Sequence, residues 1–290
     1  MTKLSTFILL ILLYACGNSQ STKTDTPPLT VLEQYKAFLT QLDTQNIANI
    51  RQGVSKYQEL FAGIANKATA DSAYKEFLVF QQRINNYYTQ SIDASQEAYF
   101  SEVGNIAGEQ AHHQNAETQQ KIKELKTNGF VFKTTEGYVY LAPDAEFLEK
   151  NFSGFLSTTG QRYFKQWKQE DTEGFVEDMG LTIKPTELAQ RIVFWEKFLQ
   201  ENPSTPWTDE VSFTLKAYTN TLFVGLDNTP SFDYEMETIM PEYKEAFVWL
   251  VTNHPNTKIG KQVSQYTALL EQNNWKNSAQ AKQFVEQFIQ

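Results

Sequence analysis

The chain has 290 residues, of which 41% are hydrophobic and 14% are aromatic, and its formal net charge at pH 7 is −9. This composition supplies enough apolar side chains for a packed core and excludes a chain that is disordered throughout. The acidic balance excludes a broad basic surface, so we expect no nucleic-acid partner.

The first sixteen residues, MTKLSTFILLILLYAC, combine an early lysine with an apolar run and end at Cys16, the only cysteine of the chain. The run is shorter than the roughly 20 residues that a membrane-spanning helix needs, and it is typical of the apolar part of a secretory signal. Because no other cysteine follows, we expect neither disulfides nor thiol chemistry in the body of the protein.

The stretch Leu13-Tyr14-Ala15-Cys16 resembles the lipobox of bacterial lipoproteins. This resemblance implies that residues 1–15 are removed as a signal peptide and that Cys16 is then acylated. Two or more acyl chains hold a protein stably to a membrane, so the resemblance also implies a lasting anchor. An ordinary secretory signal is the alternative interpretation.

The segment after the cysteine holds no large apolar side chain, and it predicts a flexible tether over residues 16–28. The lipobox resemblance implies a protein of the bacterial cell envelope whose membrane partner is reached through lipidated Cys16. Gly17 differs from the aspartate linked to inner-membrane retention in some Gram-negative bacteria, so we slightly prefer the outer membrane.

The body of the chain opens with apolar residues at helical spacing, which predict a helical N-terminal region over residues 29–128. We expect one of its helices to start near Asp71, because aspartate is a favourable N-cap. A further helix is predicted to start near Ala94 and to include a long polar stretch over residues 107–121.

A change of pattern follows, because residues 130–132 and 138–141 are β-branched and aromatic. They predict a β-hairpin within residues 129–143. Residues 144–290 return to helical spacing and are divided by prolines. The helices expected there lie at about 160–178, 185–201, 207–224, 241–253, 257–273 and 278–289. The predicted fold class is therefore mainly α, with one small β-hairpin near 130–141.

The C-terminal half contains a weak internal similarity. A shift of 52 residues places residues 198–212 over residues 250–264, with Pro203 on Pro255. Each unit is an amphipathic helix, a polar turn with proline, and another helix. This pattern resembles the junctions of tetratricopeptide-like arrays over about 185–275, which implies a helical-repeat solenoid with a concave binding face. Two unrelated helical hairpins are the alternative.

Metal-ligating patterns are weak in this sequence. Glu109 and His112 have the spacing of ligands in di-iron helical bundles, but such a site needs that pair twice. His254 lies in a predicted turn and has no glutamate three residues before it, so it supplies no second pair. A solvated helix face is therefore favoured over a metal site at His112, which lies in the most polar part of the chain. The acidic stretch 170–178 offers carboxylate oxygens but lacks calcium-loop spacing. We therefore expect no metal and no cofactor.

The most unusual loop is GLDNTPSFDYE, which holds the carboxylates of Asp227, Asp233 and Glu235. Two carboxylates that face one cleft would suit general acid/base hydrolysis of a glycosidic polymer. A turn explains the same residues more simply, because Asp and Asn side chains bond the local backbone. Trp207, at a predicted helix start between a proline and a threonine, is expected to be exposed and is a further candidate for ligand binding.

The sequence assigns no catalytic residue, because it contains no nucleophile elbow, phosphate loop or zinc motif. The function it favours is a membrane-anchored binding or scaffolding module of the cell envelope, with an envelope protein as partner. The alternative is an envelope-polymer hydrolase or a glycan-binding protein that uses the acidic loop over 227–235. A cleft with converging carboxylates would favour the alternative, and a broad groove would favour the scaffold.

Overall fold

The computed structural model describes residues 28–93, 116–235 and 237–287. These residues form a mainly α fold with small antiparallel strand pairs, which confirms the predicted fold class. The helices are α1 (Val31–Gln41), α2 (Asn49–Phe61), α3 (Lys67–Asp93), α4 (Ala116–Thr127), α5 (Ala145–Phe152), α6 (Thr158–Glu173), α7 (Pro185–Glu201), α8 (Thr208–Val224), α9 (Pro241–Asn253), α10 (Lys258–Gln272) and α11 (Ala279–Glu286). The paired strands are β1 (Phe130–Thr135) with β2 (Tyr138–Pro143), β3 (Val176–Glu177) with β4 (Gly180–Leu181), and β5 (Gly225–Leu226) with β6 (Thr229–Pro230).

Helix α1 begins at a capping box, in which Thr30 and Glu33 each accept a hydrogen bond from the other's backbone nitrogen. Helices α1, α2 and α3 pack on one another. Tyr35 and Tyr57 are fully buried between them, and the Tyr35 hydroxyl donates to the carbonyl of Gly53 at 3.0 Å. These three helices belong to the mainly α fold that the sequence predicts.

Asp71 corrects the sequence prediction, because α3 begins at Lys67 and not at Asp71. The Asp71 side chain is 2% exposed and accepts hydrogen bonds from the backbone nitrogen of Ser157, at 2.9 Å, and from the Ser157 hydroxyl. Ser157 is itself the N-cap of α6. Asp71 is thus a capping residue, but for a helix 86 residues further along the chain.

Residues 94–115 lie outside the described residues. They contain the predicted helix start near Ala94 and the candidate ligands Glu109 and His112. The β-hairpin after α4 is confirmed, with Phe130 opposite Pro143 and Thr135 opposite Tyr138. Phe130 is fully buried, and the side chains of this face pack against α3.

The C-terminal helices fall close to their predicted positions, with one correction. The helix expected over 160–178 ends at Glu173, because Gly174 adopts φ +77° and the chain turns into β3. Helix α7 packs against both α8 and α9, and α9 packs against α10. The residues related by the 52-residue shift therefore belong to two helix pairs, α7–α8 and α9–α10, that contact each other through their first helices.

The two short hairpins β3–β4 and β5–β6 follow α6 and α8, and they dock on each other. The backbone nitrogen of Asn228 donates to the Met179 carbonyl at 3.0 Å, and that of Leu181 donates to Thr229 Oγ1 at 2.9 Å. These contacts connect the end of α8 to the loop before α7. They fix the end of the helical stack that carries the acidic loop.

A single buried hydrophobic cluster runs from Tyr35 to Val285 across the described residues. Phe152 illustrates the continuity of this cluster, because the centroid of its ring lies 4.7 Å from that of Tyr57 and 4.5 Å from that of Phe77. Among the helices of the described residues, none combines the length and apolarity needed to cross a membrane.

Candidate functional site

The predicted lipidation residue, Cys16, and the tether up to residue 27 lie outside the described residues. The first described residues, 28–30, are exposed and precede α1 directly. Lipidation at Cys16 therefore stays a prediction, and the remaining candidates lie in the described body.

The acidic loop is built on the β5–β6 hairpin. Gly225 ends α8 with φ +79°, and a side chain there would collide with the backbone nitrogen of Ser231. The buried Ser231 hydroxyl donates to the carbonyls of Phe223 and Val224, at 3.0 and 2.8 Å, at the end of α8. The loop is therefore held by the backbone and by one buried serine, and its carboxylates project from that frame.

A cleft of about 520 Å³ lies beside this loop, and both Asp227 and Asp233 line it. Glu235 does not belong to the lining residues, so the structure separates it from the other two candidates. Asp233 Oδ1 accepts a hydrogen bond from the backbone nitrogen of Glu235 at 3.0 Å, as in an Asx turn. The opposite wall includes Lys282, which forms an ion pair with Glu237 at 3.0 Å.

The turn hypothesis accounts for part of this loop, because Asp233 bonds its own backbone. The Tyr234 hydroxyl likewise donates to the carbonyl of Asp227, at 3.1 Å, within the same loop. Tyr234 is 74% exposed and Val224 is 52% exposed, and both line the cleft. The cleft therefore offers an exposed aromatic ring and the carboxylates of Asp227 and Asp233 to a ligand, and Glu286 and the ion-paired Glu237 also line it.

The expectation that Trp207 is exposed is wrong. Its indole is 1% exposed and stacks on the ring of Tyr163, with centroids 4.4 Å apart and planes 7° apart. Lys75 Nζ donates to the carbonyl of Pro206 at 2.7 Å and ties this segment to α3. The 52-residue shift could have predicted this burial, because it aligns Trp207 with the apolar Ile259. Ile259 is also only 1% exposed.

Sequence analysis missed a second pocket, of about 220 Å³, between α6, α7 and α8. Four aromatic residues line it, and they are Tyr163, Trp167, Trp195 and Tyr218. Tyr163 and Trp195 are nearly buried and their ring centroids lie 5.7 Å apart. Burial and the neighbouring carboxylates Glu210 and Glu170 raise the pKa of the Tyr163 phenol, which stays neutral at physiological pH.

Glu170 is the central carboxylate of this aromatic pocket. It accepts hydrogen bonds from the Trp195 indole nitrogen at 2.9 Å, from the Tyr218 hydroxyl at 2.8 Å, and from the Gln166 amide at 2.7 Å. Burial, followed by the charge of Glu170, raises the pKa of Tyr218. Three neutral donors thus orient Glu170, and within the described part of the chain none of the ion pairs includes it.

Two other carboxylates line the same pocket, and each is paired with a lysine. Asp171 contacts Lys133 Nζ at 2.5 Å, and Glu210 contacts Lys75 Nζ at 2.9 Å. The pocket therefore holds three negative charges and two positive partners, and the surplus negative charge belongs to Glu170.

The acidic stretch 170–178 is divided among separate partners. Glu173 pairs with the buried Arg191 at 2.9 Å, and Glu177 accepts from the backbone nitrogen of Glu136 at 3.0 Å. Hydrogen bonds from Gln169 and Arg191 lower the pKa of Glu173. Over residues 28–93, 116–235 and 237–287, no group of three or more His, Cys, Asp or Glu side chains is arranged to hold a metal ion.

A third cavity, of about 590 Å³, lies in a groove between α7 and α10. Lys197, Lys258 and Lys261 line it together with Leu199 and several glutamines. Glu196 also lines the groove and connects its two helices, because Glu196 Oε1 accepts a hydrogen bond from the backbone nitrogen of Ile259 in α10 at 2.9 Å. Burial raises the pKa of the Glu196 carboxyl.

The aromatic pocket was invisible to sequence reasoning for a physical reason. Its residues come from three helices, and their helical spacing is the same as that of ordinary core residues. The comparisons with known proteins do not assign the site either. No family model matches the chain, and neither a curated protein nor a solved structure is significantly similar to it.

Proposed function

We propose that this protein is a lipid-anchored binding module of the bacterial cell envelope. The proposal of a lipid anchor rests on the position of Cys16, the only cysteine, at the end of an apolar run and before a polar segment. A thiol kept at that single position is explained by acylation, since the body uses no cysteine. The outer membrane is the preferred location.

The binding role rests on the surface of the helical stack. The groove between α7 and α10 combines three lysines with apolar and amide side chains over a cavity of about 590 Å³. Such a mixed surface suits a protein segment that brings both carboxylates and apolar side chains. The preferred partner is therefore an acidic segment of another envelope protein.

Metabolic labelling with a palmitate analogue tests the anchor. The wild-type chain should be labelled and should sediment with membranes, whereas Cys16→Ser should be unlabelled and released. A variant that combines Cys16→Ser with Ser19→Cys restores a thiol three residues further along and is the matched control, also expected to be unlabelled. Label on either variant would contradict the proposal.

Affinity purification from detergent-solubilised envelope tests the binding role. We expect a protein partner that is retained by the wild type and lost when Lys197→Glu and Lys261→Glu reverse the charge of the groove. Glu245→Lys, on the exposed side of α9, changes charge outside the groove and should keep the partner. Recovery of the same proteins with all three chains would contradict the groove as a docking surface.

A second candidate function is hydrolysis or binding of an envelope glycan at the acidic loop, and it is favoured by the position of Asp227 and Asp233 in one cleft. Asp227→Asn together with Asp233→Asn should then abolish binding or turnover of isolated envelope polysaccharide. Glu235→Gln, outside the cleft lining, should leave it unchanged. Equal behaviour of both variants and the wild type would remove this candidate.

A further inference from the structure

We propose that the aromatic pocket between α6, α7 and α8 binds a small organic cation, namely an alkylated ammonium head group. The inference goes beyond the proposed function and does not depend on the lipid anchor or on the groove. It rests on the walls of the pocket, on its charge and on its size.

Four aromatic side chains line the walls, and one face of the Tyr163 ring is covered by the stacked Trp207. Tyr163, Trp195 and Tyr218 are 9, 3 and 5% exposed, so packing fixes their rings, whereas Trp167 is only partly buried at the edge of the core. The negative face of an aromatic ring attracts a cation, most strongly for tryptophan and in a desolvated site. Several fixed rings around one small cavity therefore favour a cation with an apolar surface, such as an alkylated ammonium.

Charge selects the same ligand. Glu170 carries the surplus negative charge, because Asp171 and Glu210 pair with Lys133 and Lys75. A single positive charge on a ligand would therefore neutralise the pocket. Arg191 contacts one wall, because its guanidinium carbon lies 6.0 Å from the centroid of the Tyr218 ring and Nη1 donates to the Tyr218 hydroxyl at 3.5 Å. Its charge is already paired with Glu173, it also donates to the Gly174 carbonyl, and it does not line the pocket.

The hydrogen bonds of Glu170 distinguish a cation from a sugar. A carboxylate offers about four acceptor positions, and Glu170 already accepts from the Trp195, Tyr218 and Gln166 side chains. Little acceptor capacity is left for sugar hydroxyls, but the charge remains. A quaternary ammonium needs charge and no acceptor, so it fits this carboxylate better.

The size of the pocket limits the ligand to one head group. Its volume of about 220 Å³ lies below the roughly 300–1,000 Å³ that is typical of sites for drug-sized molecules. Glu210 is an exposed residue of the lining, so the pocket reaches the surface and a longer molecule would place only its cationic end inside.

Titration of the full chain with choline tests the proposal, with 3,3-dimethylbutanol as the neutral probe of the same shape. The chain is held in dodecyl maltoside, a detergent without an ammonium group. We expect a saturable change in tryptophan fluorescence with choline, because Trp167 and Trp195 line the pocket. The neutral probe should bind at least about tenfold more weakly, since it lacks the cation–π and charge interactions. No saturable change with choline, or equal binding of both probes, would overturn the proposal.

Two variants locate the binding. Glu170→Gln keeps the shape and removes the charge, and Trp167→Leu removes the partly exposed ring without opening the buried core. Each should weaken choline binding by about tenfold or more. Glu245→Gln is the matched control and should bind like the wild type. If Glu170→Gln does not fold, Trp167→Leu and the neutral probe still decide the question, and choline binding that Trp167→Leu leaves intact would contradict the pocket.

Discussion

Asp71 shows how a single buried carboxylate connects distant parts of the chain. It lies in α3 and binds the Ser157 backbone nitrogen and hydroxyl at the start of α6. Burial raises the pKa of Asp71, and the hydrogen bonds from Ser157 offset part of this shift. The charged form is therefore less favourable in the folded protein than in the unfolded chain.

The raised pKa of Asp71 predicts a specific pH dependence of stability. Because the folded state binds the proton more tightly, the contribution of Asp71 to the free energy of unfolding should increase as pH falls through its raised pKa, and should be complete below the unfolded value of about 3.9. Urea unfolding of the wild type and of Asp71→Asn over pH 7 to 4 measures this contribution as a difference. A difference that is constant, or that decreases toward pH 4, would contradict the assignment.

The sequence prediction that Asp71 caps the start of its own helix was wrong, because its side chain binds the start of α6 instead. Capping depends on a carboxylate oxygen that meets free backbone nitrogens, and any helix start nearby in space satisfies that condition. Trp207 was misplaced for a related reason. Its proline neighbour suggests an exposed turn, whereas the stacking partner Tyr163 lies 44 residues earlier in the sequence.

At the scale of elements, helices α7, α9, α10 and α11 were predictable because the start of each carries a local signal. Pro185 and Pro241 occupy the first turns of α7 and α9, and Thr257 and Ser278 cap α10 and α11 through their side chains. The predicted helix was longer than α6 because the acidic residues after Glu170 are acceptable in a helix. Helix α6 ends where Gly174 adopts a positive φ angle.

The glycines of two hairpins allow a matched test of backbone and steric effects. Gly225 and Gly137 both have φ +79°, but a side chain at Gly137 meets no atom within 4 Å, whereas one at Gly225 lies 2.7 Å from the Thr229 carbonyl oxygen. Gly137→Ala should cost about 1–2 kcal/mol of unfolding free energy, the cost of left-handed backbone alone. Gly225→Ala should cost more than about 3 kcal/mol.

Denaturant unfolding of both alanine variants measures these costs against the wild type. The difference between them contains the steric contact with the β5–β6 hairpin and the backbone strain of Gly225, whose ψ of −165° lies in a region almost restricted to glycine. Equal destabilisation of the two variants would mean that the loop relaxes around the new side chain.

At the scale of the molecule, one continuous core joins the described residues, and this predicts a single unfolding transition. All five tryptophans lie between Trp167 and Trp275, so their fluorescence reports the C-terminal half, whereas far-ultraviolet circular dichroism reports helices throughout. The two signals should change together in urea, as expected for a cooperative unit. Measurement on full-length Cys16→Ser avoids the proposed anchor, and two separated transitions would contradict one cooperative body.

Phe152 carries a consequence for the order in which the chain acquires its structure. Its ring closes an aromatic cluster with Tyr57, Tyr74 and Phe77, which precede it by 75 to 95 residues. A nascent chain that has emerged only as far as the β-hairpin holds α1 to α3 with that apolar face still open to water. Long-range closure of this kind slows folding and leaves the early product prone to aggregation. Chaperones that hold partly synthesised chains should therefore bind this protein most strongly before α5 emerges.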